Sequence, residues 1–506
     1  RVAGTISLKG GRLDDLRLLD YGDTREADSD RVTLLSPIGA RDPFYAIYGW
    51  LPTAENPVRT PGPNTEWTQV DGGVLAPGAP VTLEWDNGEG LIFRRRIALD
   101  ENFMFTVGQS VENVGETPVS LAPYGYVARR GEPDTVGFYI LHEGAIGKFD
   151  GVLEELDYDD LEDLDGVGGP GERQQLVPVA DAGWLGFTDK YWMATLIPDP
   201  GQAFDAVFKY VQLQGAPEFR TEMRLPLATV APGAMAEVTT RLIAGAKEYQ
   251  TIDSIDWGWF FFLTKPFLRM LLFFNGIIGN MGWSIIALTF VIKLVLFPLA
   301  YKSYVSMSKM KKLQPEMEKI KERVGDDKMK LQQEMMALYK KEKANPAAGC
   351  VPILLQIPIF FSLYKVLFVT LEMRHAPFVL WIQDLSAPDP TSILNLFGLL
   401  PFAAPDPNSF LAILSIGVFP ILLGITMWLQ QKLNPAPTDA TQAMIFAWMP
   451  WMFMFMLGQF ASGLVIYWVA NNVITFAQQY TIMRSQGVDV DILGNVKASF
   501  KRKKTS

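Results

Sequence analysis

Residues 283–301, Trp-Ser-Ile-Ile-Ala-Leu-Thr-Phe-Val-Ile-Lys-Leu-Val-Leu-Phe-Pro-Leu-Ala-Tyr, form a run that is apolar almost throughout and carries one charge, Lys293. An α-helix needs roughly 20 such residues to cross a hydrocarbon core. At ~1.5 Å per residue, the Lys293 ammonium lies far from either end of that helix. Leaving a cation in hydrocarbon costs ~2.5–3.5 kcal/mol on insertion scales. The side chain therefore either snorkels along its stem to the polar boundary or is aimed at water, a polar partner or a substrate. Thr289, one turn away on the same face, extends a polar stripe inward and favours the second reading.

The rest of the chain divides around this run. Residues 1 to about 250 are acidic, rich in Gly, Pro, Thr and Val, and hold no long apolar stretch; from about 257 onward Phe, Leu, Ile, Met and Trp dominate. The net charge of −10 argues against nucleic acid binding by the first half, the basic residues cluster elsewhere, and no DNA binding is expected. One cysteine, Cys350, excludes a disulfide framework and a cysteine-based zinc site. Two histidines, His142 and His375, leave little for metal or acid–base chemistry, and no cofactor or metal is expected. The sequence opens on Arg1 and implies an upstream segment.

The first half alternates with period two between turn signals. Thr5–Leu8 precedes Gly10-Gly11; Val81–Trp85 and Leu91–Leu99 flank Asn87-Gly88, a hairpin signal through positive φ. Phe103–Val114 and the pair Trp184–Asp189 and Tyr191–Ile197 continue the pattern, which predicts a large antiparallel β-sandwich over 1–255. A short helix is expected around Lys247–Ile255. The acidic run from Glu154 to Asp165 lacks the spacing of a calcium loop and reads as a solvated, mobile loop.

In the second half, 257–275 is aromatic but interrupted by Lys265, Pro266 and Arg269, which predicts an interfacial amphipathic helix. Five spans follow at 282–301, 349–371, 410–431, 443–458 and 463–482. The segment 302–345 between the first two is rich in lysine, the loop 372–409 holds only Arg374, and the tail 483–506 is basic again. By the positive-inside rule the lysine-rich segment and the tail are cytoplasmic, and the β-domain and the 372–409 loop lie on the opposite side.

The lysine-rich segment is itself patterned. Met307, Met310, Leu313, Met317, Ile320 and Val324 recur at helical spacing, Gly325-Asp326-Asp327 interrupts, and Leu331, Met335 and Leu338 resume. That predicts an antiparallel helical hairpin with a basic outer face that includes Lys311 and Lys312. The seam serves to pack the two helices; a Met-rich, basic surface also suits a partner. Inside the spans, Thr289, Gln356, Ser362, Gln430, Asn471 and Asn472 either pair with one another or line a wet cavity. With no carboxylate in the spans to match Lys293, a hydrated pocket open to the cytoplasm is expected.

Long strings here resemble the YidC-type membrane protein insertases, a bacterial family with mitochondrial and chloroplast relatives. They are I-G-N-M-G-W-S-I-I-A-L-T-F-V-I-K-L-V-L-F-P-L with S-M-S-K-M-K-K-L-Q-P, and G-D-D-K-M-K-L-Q-Q-E-M-M-A-L-Y-K-K-E-K-A-N-P-A-A-G-C-V-P-I-L-L-Q-I-P-I-F. R-H-A-P-F-V-L-W-I-Q-D-L-S-A-P-D-P and S-G-L-V-I-Y-W-V-A-N-N complete the set. The resemblance implies a membrane α-helical bundle, a five-helix insertase core, with a large N-terminal antiparallel β-sandwich periplasmic domain and a cytoplasmic helical hairpin. It implies a multi-pass protein of the bacterial inner membrane whose C-terminus is cytoplasmic, with one further span ahead of the β-domain.

The family carries a groove arginine where this chain has Lys293, so the charge carries over but the two-point fork does not. Thr289 and the Tyr467-Trp468 pair fall at matching groove or substrate-contact positions, beside the polar Gln356 and Asn471. The resemblance implies that a nascent chain's polar tail enters the groove while its apolar segment slides along a greasy face, expected here at Phe360, Phe361 and Leu363 on one span and Met452, Phe453 and Phe455 on another. The implied partners are nascent membrane proteins, the lipid bilayer, the Sec translocon, the ribosome and the signal recognition particle pathway. No nucleotide motif is present, and a non-enzymatic protein is expected. A transporter would place Asp, Glu or His in the spans. A carbohydrate-active enzyme needs a constellation that one His142 does not supply.

Overall fold

The computed structural model describes residues 1–26, 28–135, 141–166, 168–248, 261–325, 327–342, 344–345, 351–402, 405, 414–434 and 440–488. The chain divides into two units, Arg1–Asp256 and Trp257–Ser506.

The first unit is built from two antiparallel sheets of nine strands. One runs Val2–Ser7, Arg12–Gly22, Phe44–Pro52, Val119–Arg130, Glu218–Arg224, Phe204–Val211, Glu172–Val179, with Arg31–Leu35 and Ala228–Val230 paired off this path. The other runs Val152–Leu156, Gly144–Phe149, Gly183–Thr188, Trp192–Pro198, Met235–Ala246, Met104–Asn113, Leu91–Leu99, Val81–Asp86, Thr68–Asp71. Alternation decides which side chains face inward: along Met104–Asn113 every second residue is buried. Trp50, Trp67, Leu83, Phe93, Val111 and Leu121 join in one core cluster drawn from both sheets.

Two local expectations change. Asn87 acts through its side chain, whose oxygen accepts from the Glu89 and Leu91 amides at 2.7 and 3.0 Å. The positive φ values fall instead on Gly88 and Gly90, so the connection is longer than a two-residue turn. The acidic run is not a loop. Val152–Leu156 is a strand and α1 (Tyr158–Glu162) a helical turn closed by a capping box between Asp157 and Asp160. Tyr158 and Leu161, three residues apart, bury one face and hold the turn down. The helix expected at Lys247–Ile255 falls largely outside the described residues, which stop at 248.

The second unit is helical. Its elements are α2 (Phe261–Ile278), α3 (Met281–Val295), α4 (Phe297–Val324), α5 (Lys328–Lys341), α6 (Val351–Val369), α7 (Val418–Gln431), α8 (Ala440–Leu457) and α9 (Ser462–Ser485). Asn280 caps α3, its side chain accepting from the Trp283 amide at 3.1 Å. The expected span 282–301 is not one helix: α3 ends at Leu296, and α4 leaves at 68°. Pro298, in the first turn of α4, explains the break, because a proline lacks the N–H for a continuing ladder and clashes with the carbonyl four residues back.

Within the expected span 410–431, α7 begins at Val418 after the extended Gly417, and 406–413 lie outside the described residues. Gly417, the extended residue ahead of α7, is held to glycine because the loop residue Asp389 would lie 2.5 Å from an added Cβ. That carboxylate caps α7, accepting from the Phe419 amide at 2.9 Å, and also accepts from the Trp381 indole at 3.1 Å. Among the described residues no single helix is long and apolar enough to cross a membrane; only the bent pair α3–α4 passes by length and composition.

The hairpin forms as the spacing predicts. Leu313 and Met317 of α4 pack on Met335 and Leu338 of α5, with Met310, Ile320 and Leu331 at the margin. Met307 lies elsewhere: with Tyr304 it packs on Ile482 of α9. The seam therefore splits near Met310, its early part serving the bundle and its later part the hairpin.

Candidate functional site

Lys293 sits in the last turn of α3, half-buried, beside a helix face that buries Ile285, Leu288, Thr289 and Ile292. Its Nζ donates to Gln356 Oε1 of α6 at 3.3 Å, and Gln356 Nε2 donates to the Tyr467 hydroxyl of α9 at 2.5 Å. One polar chain thus ties three helices. It opens on a cleft of about 30 Å³ lined by Lys293, Leu296, Leu299, Ala300, Tyr304, Leu355, Gln356 and Gln478. That volume suits one or two waters. The α3–α4 break supplies part of the wall, since Leu296, Leu299 and Ala300 follow it directly.

Among the described residues no carboxylate lies within ion-pairing distance of Lys293, and no His, Cys, Asp and Glu group forms a metal site. An ammonium has three donors, and the neutral amide of Gln356 takes one of them. The remaining donors need water or an incoming acceptor.

The other expected groove residues fall in different places. Thr289 is buried and its hydroxyl donates to the Ile285 carbonyl at 2.7 Å, so its polar group serves its own helix rather than the cleft. Trp468 is half-buried, its ring 4.6 Å from Phe360 and 5.8 Å from Phe453. Asn471 is buried, and its Oδ1 finds no partner among the described residues. Gln478 and Tyr304 were not singled out from the sequence. The signal for Gln478 was available: Tyr467, Asn471, Thr475 and Gln478 recur on one face of α9.

The expected slide residues also separate. Met452 and Phe455 of α8 are exposed, Phe360, Phe361 and Phe453 are half-buried, and Leu363 is 1% exposed. Leu363 is thus not on an open face, because Ile359, Leu363, Val366 and Leu367 together turn into the bundle. In the hairpin, Lys311 Nζ donates to the Leu433 carbonyl at 3.2 Å and Lys312 Nζ to the Gln486 carbonyl at 2.7 Å.

Comparison with known proteins places the chain. Residues 1–270 match the family model for the YidC periplasmic domain, and residues 273–488 match the 60Kd inner membrane protein family. The membrane protein insertase YidC of Dinoroseobacter shibae is 61% identical over 519 residues, covering 100% of this chain and 85% of the relative. That of a Jannaschia species is 58% identical over 535 residues, covering 99% and 85%. A crystal structure of an active YidC insertase with its first transmembrane domain resolved aligns over 94% of this chain and 89% of its own, at 17% identity and a TM-score of 0.38. Two family models that together run from residue 1 to residue 488, and full-length relatives above half identity, lead to one conclusion: the chain belongs to the YidC family of membrane protein insertases.

Proposed function

We propose that this chain inserts nascent membrane proteins into the bacterial inner membrane without catalysing a covalent reaction, acting through the Lys293 cleft. The observation that carries the reading is a half-buried ammonium whose partner is a neutral amide, beside a cleft with room for water. An acidic or polar tail entering from the cytoplasm meets an unneutralised positive charge where apolar residues would otherwise exclude it. Its apolar segment then leaves along Phe360, Phe361 and the exposed α8 face carrying Met452 and Phe455, with Phe453 and Trp468 closing the inner side. Moving apolar surface out of water supplies the driving force, at about 25 cal/mol per Å².

In this reading the segments 282–301, 349–371, 410–431, 443–458 and 463–482 lie in the membrane, the first as the bent α3–α4 pair. The helix within 257–275 lies along the interface. The β-sandwich and the 372–409 loop are periplasmic; the hairpin and the tail 483–506 are cytoplasmic. Substrates arrive from the ribosome, directly or by the signal recognition particle pathway, and are inserted alone or beside the Sec translocon. The direct test is Lys293→Glu in cells depleted of the native insertase. Insertion of substrates with acidic tails is expected to fail; insertion at the native rate would overturn the charge-attraction mechanism. Crosslinking from position 293 to a stalled nascent chain is the complementary measurement.

A further inference from the structure

Helix α4 runs unbroken from Phe297 to Val324, and near its start Leu299, Ala300 and Tyr304 form one wall of the Lys293 cleft. Further along, two adjacent lysines reach two different helices. Lys311 donates to the Leu433 carbonyl, just beyond α7, and Lys312 to the carbonyl of Gln486, the residue that closes α9. Neighbouring residues on a helix point about 100° apart, which lets one short stretch touch both. The Gln486 carbonyl is of the kind a helix leaves unpaired at its C-terminus, where the helix dipole is negative, and Leu433 lies one residue past the cap of α7.

These two helix ends form a platform of their own. Leu433, Met483 and Val488 pack in one cluster, and Gln479 Nε2 donates to Asn434 Oδ1 at 2.9 Å. The turn after α9 is closed by Gly487 at φ +69°, with the Val488 amide donating to the Met483 carbonyl at 3.1 Å. The opposite end of α4 is the 68° break at Leu296, where the backbone ladder is interrupted. The stretch of α4 ahead of its interior Pro315 thus has a discontinuity at one end and two cationic fastenings ~22 Å along its axis, at 1.5 Å per residue.

We infer that Lys311 and Lys312 form a latch that holds α4 against the carbonyl ends of α7 and α9, and so sets how widely the Lys293 cleft opens. Both lysines act as positioning residues. Releasing them weakens the hold on α4, leaving the packing of Tyr304 and Met307 on Ile482 to resist a pivot about Leu296 that carries Leu299 and Ala300 away from Gln356 and Gln478. The basic hairpin face that the sequence assigns to a partner is, at these two positions, occupied by the protein's own backbone. The latch rests on the insertase reading only for what the cleft is used for.

The test uses the full chain in membrane vesicles, with Ala300→Cys as reporter in a Cys350→Ser background and a charged, membrane-impermeant maleimide as probe. K311Q/K312Q is expected to raise the labelling rate roughly tenfold, the effect of losing two cations at helix C-termini. K311Q and K312Q alone are expected to give intermediate rates, and K311R/K312R to restore the native rate. Spin labels at Glu322→Cys and Thr481→Cys are expected to show a longer, broader distance distribution in K311Q/K312Q than in K311R/K312R. Identical labelling and identical distances in the Gln and Arg pairs would overturn the latch. No substrate is present in either measurement, so that failure leaves the insertase reading standing, and failure of Lys293→Glu to block insertion leaves the latch standing.

Discussion

Each unit holds a cation that pairs with no carboxylate among the described residues, and the two sites resolve that cost in opposite ways. Arg95, on strand Leu91–Leu99 of the sandwich, is 1% exposed. Its guanidinium donates to the carbonyls of Gly10 and Gly11 at 3.2 and 2.6 Å and to that of Tyr48, and it lies 4.6 Å over the Trp67 ring. Burial lowers its proton affinity to a pKa of about 10, still charged at neutral pH. Gly11, at φ +59°, is held to glycine there because an added Cβ would lie 2.4 Å from Arg95 Nη1. The Arg95 site is closed: its two Nη groups are bonded to carbonyls, while Nε is buried with no partner among the described residues. Lys293 has one amide, a small cleft with room for water and a break just past the end of its own helix. A cation sealed among carbonyls and rings is architecture, whereas one beside a cleft with room for water is available for exchange with something that arrives.

The comparison breaks or sharpens under substitution, the largest effect coming from the closed site. Arg95→Met leaves three buried carbonyls without their donor and is expected to destabilise the first unit by about 3–5 kcal/mol. Limited proteolysis across a denaturant series would measure it; an unchanged midpoint would mean that the carbonyls find other donors. Arg95→Lys keeps the charge but loses the planar fork, and a loss of ~2 kcal/mol is expected in the same assay. At the open site the charge is what counts. Lys293→Met is expected to slow insertion of acidic-tailed substrates roughly tenfold, equivalent to ~1.4 kcal/mol, with the unfolding midpoint held. Lys293→Arg is expected to stay within about twofold of the native rate, since an open cleft accommodates either cation. Gln356→Leu removes the link between Lys293 and Tyr467, and a cost of ~1 kcal/mol in stability is expected. A larger cost would make the cleft a structural site like that of Arg95.

Much of this was legible beforehand, for reasons visible at individual residues. The sandwich announced itself through alternation such as Phe105, Val107 and Val111, and the hairpin through Leu313, Met317, Met335 and Leu338. Lys293 stood out because a charge inside an apolar run has few tolerable fates. Pro298 was in plain sight, yet counting apolar residues carried the expected span through it to 301. Leu363 illustrates another limit: α6 is apolar nearly all round, so composition does not say which side faces protein. Asp389 caps α7 from a loop nearly thirty residues away, a pairing that no local pattern announces.

By itself the sequence determined where apolar surface, charge and period change along the chain, because those are properties of side chains in order. From them came the two units, the hairpin and the isolated ammonium. The tertiary structure alone decided what each buried or reaching cation touches. The acceptors of Arg95, Lys311 and Lys312 are the backbone oxygens of Gly10, Gly11, Tyr48, Leu433 and Gln486. Every residue carries such an oxygen, so only folding determines which of them is left unpaired and within reach of a cation.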